Sequence, residues 1–449
     1  MINLRYFYRL TKTFLLRFKF IIFVSFIFGL IIFILIKYLS PIFFNSQTDK
    51  IGITGRYRTD ELPYSILSLL SDGLTKITED GMVETSLASS WETTDKGKTW
   101  IFNLKDDIYW QDKKKIKSSD ILYEFTDVVT EIPDNKTIIF KLADSFSPFP
   151  TVVSKPTFKK GLLGTGKWKV DKITINGVYV QELTIKNNQD LNQKGNRIRK
   201  NIIYKFYPTE DITKLAFKLG EINRIENSIS SKPFNNWNTV NISSNINKNQ
   251  IAVIFFNTQD KYISDKKLRQ ALVYSIDKNF FDGVRCISPI SADSWSYNPQ
   301  VKPYDFDLER AKEIISELPD DTKNNLNIKF VTTPSLLTVA ENISEQWKNI
   351  KINSIVQVSS VIPSDFQAFL TILDIPIDPD QYSLWHSTQE NTNISGYKNP
   401  RIDKLLEDGR KTLTIEERKK IYIDFQRFLV EDSPAAFLYY PNLYTIERK

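Results

Sequence analysis

The chain has 449 residues, of which 41% are hydrophobic and 25% charged, a composition that suits globular lobes and leaves room for two or three domains. Its net charge is +7, but Arg5, Arg9, Lys12, Arg17, Lys19, Lys37 and Lys50 against Asp49 alone place +6 of that before residue 51, so the body is nearly neutral and carries no nucleic-acid footprint. A single cysteine, Cys286, and a single histidine, His386, exclude an intrachain disulfide, a cysteine metal cluster and multi-histidine zinc sites.

From Phe20 to Ile36 no charge interrupts the chain, and Tyr38 and Leu39 bring the stretch close to the ~20 residues that span a bilayer. The basic flank before it predicts a cytoplasmic tail over 1–19, a transmembrane anchor over 20–39, a linker over 40–50 and an extracytoplasmic body. A cleaved signal peptide would need a small-residue site, which Ser40-Pro41-Ile42-Phe43-Phe44 does not offer. After an opening strand over Lys50–Tyr57, Ile66, Leu67, Leu69, Leu70 and Leu74 predict a helix that Asp72-Gly73 helps to end. Turns at Glu79-Asp80-Gly81 and Asp95-Lys96-Gly97 lead to a strand over Thr99–Leu104, with Trp91, Trp100, Phe102 and Trp110 at strand-like spacing. Ser118-Ser119-Asp120 reads as the cap of a helix carrying Ile121, Leu122 and Phe125.

Glu131–Leu142 predicts a strand with a turn at Pro133-Asp134-Asn135. The run Gly161-Leu162-Leu163-Gly164-Thr165-Gly166-Lys167-Trp168 comes close to a phosphate-cradling loop, but Trp168 stands where Ser or Thr would reach magnesium. A strand follows instead of a helix, so the run reads as a turn. Val178–Lys186 and Ile202–Tyr207 read as strands, and Asp211–Gly220 as a helix with Leu215, Ala216 and Leu219 on one side. Ile251–Asn257 is a continuous apolar run, the mark of a strand buried on both faces. A helix from Asp265 follows, with Leu268, Ala271, Leu272 and Ile276 on one face. Ile328–Val331, Ser335–Ile350 and Ile352–Val358 alternate strand, helix and strand, an α/β signature. Phe369–Leu373 adds a strand, Arg401–Arg410 and Ile415–Glu431 add helices, and Ala435–Tyr440 is the last strand.

In order and spacing, Asp72-Gly73-Leu74, Leu87-Ala88-Ser89-Ser90-Trp91, Gly97–Leu104 and Ser118–Ile121 resemble the oligopeptide-binding type of extracellular solute-binding protein, family 5, the capture subunit of peptide ABC importers. Phe256-Asn257-Thr258, Asp265, Arg269-Gln270-Ala271-Leu272 and Ile276-Asp277 match a second signature of that family. The resemblance covers residues 50–446. It implies an α/β, two-lobed type II periplasmic-binding-protein-like fold of mixed sheets with flanking helices, here preceded by one N-terminal transmembrane helix. The first lobe would span 51–256, with 437–449 returning to it, and the second lobe 257–436.

Asp374-Ile375-Pro376-Ile377-Asp378-Pro379-Asp380 resembles the family's "D-Y-P-D-P" motif with one residue inserted. In peptide-binding members a carboxylate there holds the ligand ammonium, because a buried cation must meet an opposite charge, while main-chain groups pair with the extended peptide. Asp374 is the first candidate for that role and Asp378 the second; either could instead cap a turn beside proline. Trp385 is a candidate cleft wall or a core residue, Asn393 and Tyr397 are weaker ligand candidates, and Asp60 lies at a turn that serves either the cleft or the next helix as N-cap. His386 is a candidate ligand contact or a satisfied structural histidine. The expected function is an extracytoplasmic substrate-binding subunit that captures a short peptide by hinge closure and delivers it to permease subunits, without cofactor, metal, nucleic acid or catalysis. The alternatives are a membrane-anchored sensor of a small solute and a membrane-bound hydrolase, for which no activated nucleophile is visible.

Overall fold

Period-two burial builds the first lobe. The computed structural model describes residues 8, 12–21, 23–25, 27–32, 48–187, 201–320 and 326–449. The lobe opens with β1 (Thr48–Thr54) and α1 (Tyr64–Leu70), then the hairpin β2 (Thr75–Ile77) and β3 (Val83–Thr85). A separate four-stranded antiparallel sheet follows, from β4 (Ala88–Thr93), β5 (Thr99–Leu104), β6 (Val128–Glu131) and β7 (Thr137–Leu142), in the order β4-β5-β7-β6. In β5 the sequence TWIFNL alternates, sending Trp100, Phe102 and Leu104 inward, where they meet Phe140 and Phe149. The short α2 (Phe149–Val152) closes that core.

The main sheet of this lobe adds β8 (Trp168–Asn176), β9 (Tyr179–Asn187), β10 (Asn201–Tyr207), α3 (Glu210–Leu219), β11 (Arg224–Ser228) and β12 (Val240–Ile246). Gly164 and Gly166 lie against the end of α1, where a Cβ on either would collide with the Leu70 and Leu69 carbonyls. Close backbone packing therefore accounts for these glycines, and β8 follows them as expected from the sequence.

The second lobe holds β13 (Gln250–Phe256), α4 (Lys266–Tyr274), β14 (Gly283–Arg285), α5 (Leu308–Ser316), β15 (Asn327–Thr332), α6 (Leu337–Lys348), β16 (Asn353–Val358) and β17 (Ala368–Asp374). It continues through α7 (Tyr382–Trp385), α8 (Pro400–Lys411) and α9 (Ile415–Asp432) to β18 (Ala435–Arg448). As its composition requires, β13 is buried on both faces from Ile251 to Phe256, between β17 and β18. The Asp265 carboxylate caps α4 by accepting from Lys267 N at 2.7 Å. Buried Arg269 donates to the carbonyls of Ile263, Ser264, Asp432 and Ser433, tying the start of α4 to the end of α9.

β18 joins the lobes. Its first part pairs with β13 and β14, and from Asn442 onward it pairs with β12 and β11. The sequence reading ends this strand at Tyr440; although Pro441 lacks an N–H, the strand continues through the proline to Arg448 as it changes partners. The other crossing lies at residues 247–249, so β13 goes with the second-lobe core although the sequence reading ended the first lobe at 256.

Two further expectations are corrected. The helix after Ser118 is only a single turn over Ser118–Asp120, after which the chain is irregular. Ile121 is buried and Leu122 exposed, and the β-branched and aromatic residues that follow favour extended backbone over helix. On α3 the buried face is Thr213, Ala216 and Phe217, whereas Leu215 and Leu219 are exposed. β1 passes so closely at Gly52 that a Cβ there would meet Thr213 and Ile222, so the turn of α3 nearest β1 presents Thr213 and not a leucine.

Among the described residues no single helix is long and apolar enough to cross a membrane. The helical segments Lys12–Ile21 and Phe23–Ile32 pass that test together, bent by 54° at their junction. Residues 33–39 of the expected anchor and 40–47 of the expected linker lie outside the described residues.

Candidate functional site

Where the two lobes meet they enclose a cavity of about 350 Å³. The first lobe supplies Trp91 and Thr93 from β4, Trp100 from β5 and Met82 at the β2–β3 turn; the second supplies Trp295, Asp378 and, from the start of α9, Arg418. Direct contacts close its rim. Trp295 N donates to Asp80 O at 2.9 Å, Ser147 N to Arg410 O at 2.7 Å, and Ser147 Oγ to Gly409 O at 3.0 Å. Gly81 sits in this seam at φ +82°, where a Cβ would stand 3.3 Å from Ile377 O, so both conformation and space favour glycine.

The charged part of the wall is a pair. Arg418 Nη2 donates to Asp378 Oδ1 at 2.7 Å and Nη1 to Oδ2 at 3.1 Å, while Nε donates to Gly409 O at 3.0 Å. Asp380 N adds a bond to Asp378 Oδ1 at 3.0 Å, so Oδ2 holds fewer bonds and keeps acceptor capacity. The Arg418 side chain is only 4% exposed. Burial works against its charge, yet the Asp378 carboxylate outweighs burial and raises the guanidinium above its ordinary range. The guanidinium also lies 5.4 Å from the Trp295 ring centroid.

A second pair stands beside it. Arg410 Nε donates to Asp380 Oδ2 at 2.8 Å, and its guanidinium stacks 3.9 Å from the Tyr382 ring and 5.3 Å from Phe146 of the first lobe. Burial pushes the Asp380 carboxyl up, against the downward pull of Arg410.

The sequence candidates separate into two groups. Asp378 lines the cavity. Asp374, four residues earlier, is exposed at the end of β17, where Oδ1 accepts from Gln250 Nε2 at 2.7 Å. Trp385 is fully buried against Phe255 and Phe437, its Nε1 donating to Gln381 Oε1 at 2.9 Å. Asn393 braces the turn before α8, donating to Tyr397 O at 2.8 Å and accepting from Tyr397 N. The Tyr397 hydroxyl donates to Asp432 Oδ2 at 2.6 Å. Asp60 is exposed beside Arg58 and lines a separate hollow of the first lobe. His386 is buried against Tyr382, with Nδ1 2.8 Å from Thr388 Oγ1. Among the described residues no three of His, Cys, Asp and Glu gather as a metal site.

Arg418 is the residue sequence reasoning missed. Its signal was present: Arg418, Tyr422, Phe425, Gln426 and Leu429 share the buried face of α9, so an arginine occupies a core position of a 3.6-residue pattern. A charge placed there requires a buried partner.

Two α/β lobes sharing one crossing strand and closing on a lined cavity define a two-lobed binding protein. Residues 83–393 match the family described as bacterial extracellular solute-binding proteins, family 5 Middle, and the chain belongs to it. The oligopeptide-binding protein AppA of Bacillus subtilis is 24% identical to it, over 86% of this chain and 83% of that protein. The solved structure of AppA in complex with a nonapeptide superposes with a TM-score of 0.68 at 21% identity, over 90% of this chain and 95% of that one. NikZ from Campylobacter jejuni in complex with Ni(L-His) gives a TM-score of 0.71 at 22% identity, over 90% and 94%. These superpositions place the fold among two-lobed binding proteins.

Proposed function

We propose that the chain is the extracytoplasmic substrate-binding subunit of an ABC importer, and that it holds a short peptide between its lobes. The observation that carries this reading is the cavity with one wall from each lobe. A ligand touching both walls binds the closed arrangement more tightly than an open one, and such a difference in affinity is what drives hinge closure. The closed surface is then offered to the permease. Tryptophans on both walls give apolar contact that does not depend on one side chain, and the Asp378–Arg418 pair gives an oriented polar point. Relatives named for oligopeptides and dipeptides support a peptide as the ligand class.

Asp374 was the first candidate for the ligand ammonium; the geometry of the lining favours Asp378, through the acceptor capacity left on Oδ2. Residues 20–39 are proposed as the anchor. Phe20, Phe23 and Phe28 are more than half exposed, an apolar surface that a bilayer would cover. The test is native mass spectrometry of the full chain purified in mild detergent, followed by calorimetry with the peptides recovered. Co-purifying peptides that rebind are the expected result. Exclusive recovery of a non-peptide solute would replace the ligand class.

A further inference from the structure

The helix α3 carries apolar side chains on two faces, and the lobe covers one of them. Its inward face packs Thr213, Ala216 and Phe217 against the first lobe. Ile212, Leu215 and Leu219 stand at i, i+3 and i+7, so they form a second stripe along the outward face. Their exposure climbs from 43% through 52% to 68% toward the end of the helix. Isolated surface leucines are ordinary, but an aligned and exposed apolar stripe marks an interaction surface.

Aromatic and basic groups collect at its more exposed end. Phe217 meets Phe234 edge-on at 5.0 Å, and Phe234 meets the exposed Trp237 at 5.1 Å. Lys218 Nζ lies 6.0 Å from the Phe234 ring centroid. Arg448 stands 4.9 Å from the Phe217 ring and donates to the carbonyls of Phe217 and Lys218, a cationic cap on the last turn of α3. Lys50, Lys218 and Lys232 are exposed and enter no ion pair among the described residues. Of the acids nearby, Glu221 accepts from the Tyr207 hydroxyl at 3.3 Å, and Asp49 and Glu447 face Arg224 at 3.5 and 2.6 Å. This corner of the lobe is therefore locally positive.

The path of the chain points to what covers the stripe. Lys50 in β1 is bonded in both directions to Asn223, just past the end of α3: Lys50 N donates to Asn223 Oδ1 and Asn223 N to Lys50 O, both at 2.9 Å. The exposed end of the stripe thus adjoins the place where the chain arrives from the proposed anchor. Whatever path residues 40–47 take, their full reach is at most about 28 Å. A bilayer holding residues 20–39 is kept beside this corner at high effective concentration, where even a weak surface contact persists. Leucines flanked by tryptophan and lysine suit the headgroup level of a bilayer, and the lysines favour anionic headgroups.

We propose that the outward stripe of α3, with Trp237, Lys218 and Lys232, docks the first lobe on a bilayer surface carrying anionic headgroups. The inference rests on the anchor reading of residues 20–39. Docking gives the body one orientation, with α3 against the lipid, where a bare tether would leave it free to tumble. None of these residues lines the cleft, so the docked lobe still takes ligand.

The test places the full-length chain in nanodiscs of equal phosphatidylglycerol and phosphatidylcholine with brominated acyl chains. A bimane label is attached in Leu219→Cys and, as the reference, in Ile355→Cys, an exposed position on β16 of the second lobe. Cys286 is buried and stays unlabelled. Bromine is expected to quench the label at 219 at least about twofold more strongly than the label at 355. That preference should largely disappear when Lys218→Gln and Lys232→Gln are added with an unchanged Tm. Equal quenching at the two positions overturns the docking and leaves the anchor reading intact. A preference of the same size in phosphatidylcholine alone overturns the anionic partner. Equal quenching together with a dimer mass in native mass spectrometry gives the stripe to a second copy of the chain. Failure of the chain to enter nanodiscs removes the anchor reading, and the docking with it.

Discussion

The cleft has one wall from each lobe, and the two are held differently. The first-lobe wall comes from the four-stranded sheet, whose core of Trp100, Phe102, Phe140 and Phe149 is separate from the other two cores of that lobe. The second-lobe wall grows from a single large core running from Ile251 to Tyr440, and it carries the ion pairs Asp378–Arg418 and Asp380–Arg410. A small satellite sheet can present rings over a broad area, whereas paired charges need a rigid floor that fixes both partners. The contrast assigns apolar area to one wall and orientation to the other.

The strongest way to break that contrast is to remove the cation from the rigid wall. Arg418→Met leaves Asp378 largely buried without its partner, and the expected loss of stability is about 3 kcal/mol, measured by urea unfolding. A loss below about 1 kcal/mol would show that the pair is as solvated as a surface salt bridge. The next test separates two acids only four residues apart. Asp378→Asn is expected to weaken peptide binding by calorimetry about tenfold or more, measured well below its unfolding temperature. Asp374→Asn, exposed at the end of β17, should leave affinity unchanged and stability within about 0.5 kcal/mol. The reverse order of effects would return the ligand contact to Asp374.

The smallest expected effect is one of pH. Burial raises the Asp380 carboxyl above its ordinary range, so the folded protein holds that proton more tightly than the unfolded chain. The contribution therefore favours folding below the unfolded pKa and is lost as pH rises from about 4 through the raised folded value. Asp380→Asn should remove this component from the stability–pH curve. An unaltered slope would mean that Arg410 fully offsets burial.

Much of the scaffold was legible because its signals are local. The alternation in Thr99–Leu104, the continuous apolar run of Ile251–Phe256 and the Asp265 cap each fix an element from a few neighbouring residues. The helix expected after Ser118 failed because a good cap was followed by residues that favour extended backbone. The α3 face was misread because Leu215 and Leu219 looked like the apolar stripe, while the nearness of β1 at Gly52 is a tertiary fact.

The site divides along the same line. By itself the sequence determined the two-lobed α/β fold class, the family and the short acidic segment from Asp374 to Asp380, since spacing and residue type along the chain carry that information. Only the tertiary structure decided which acid faces the cleft, that Arg418 reaches back from α9 to hold it, and that Trp385, Asn393 and Tyr397 serve packing and bracing. Ion pairing and burial join residues 40 positions apart, and which of them meet depends on how the sheet and helices bring those positions together.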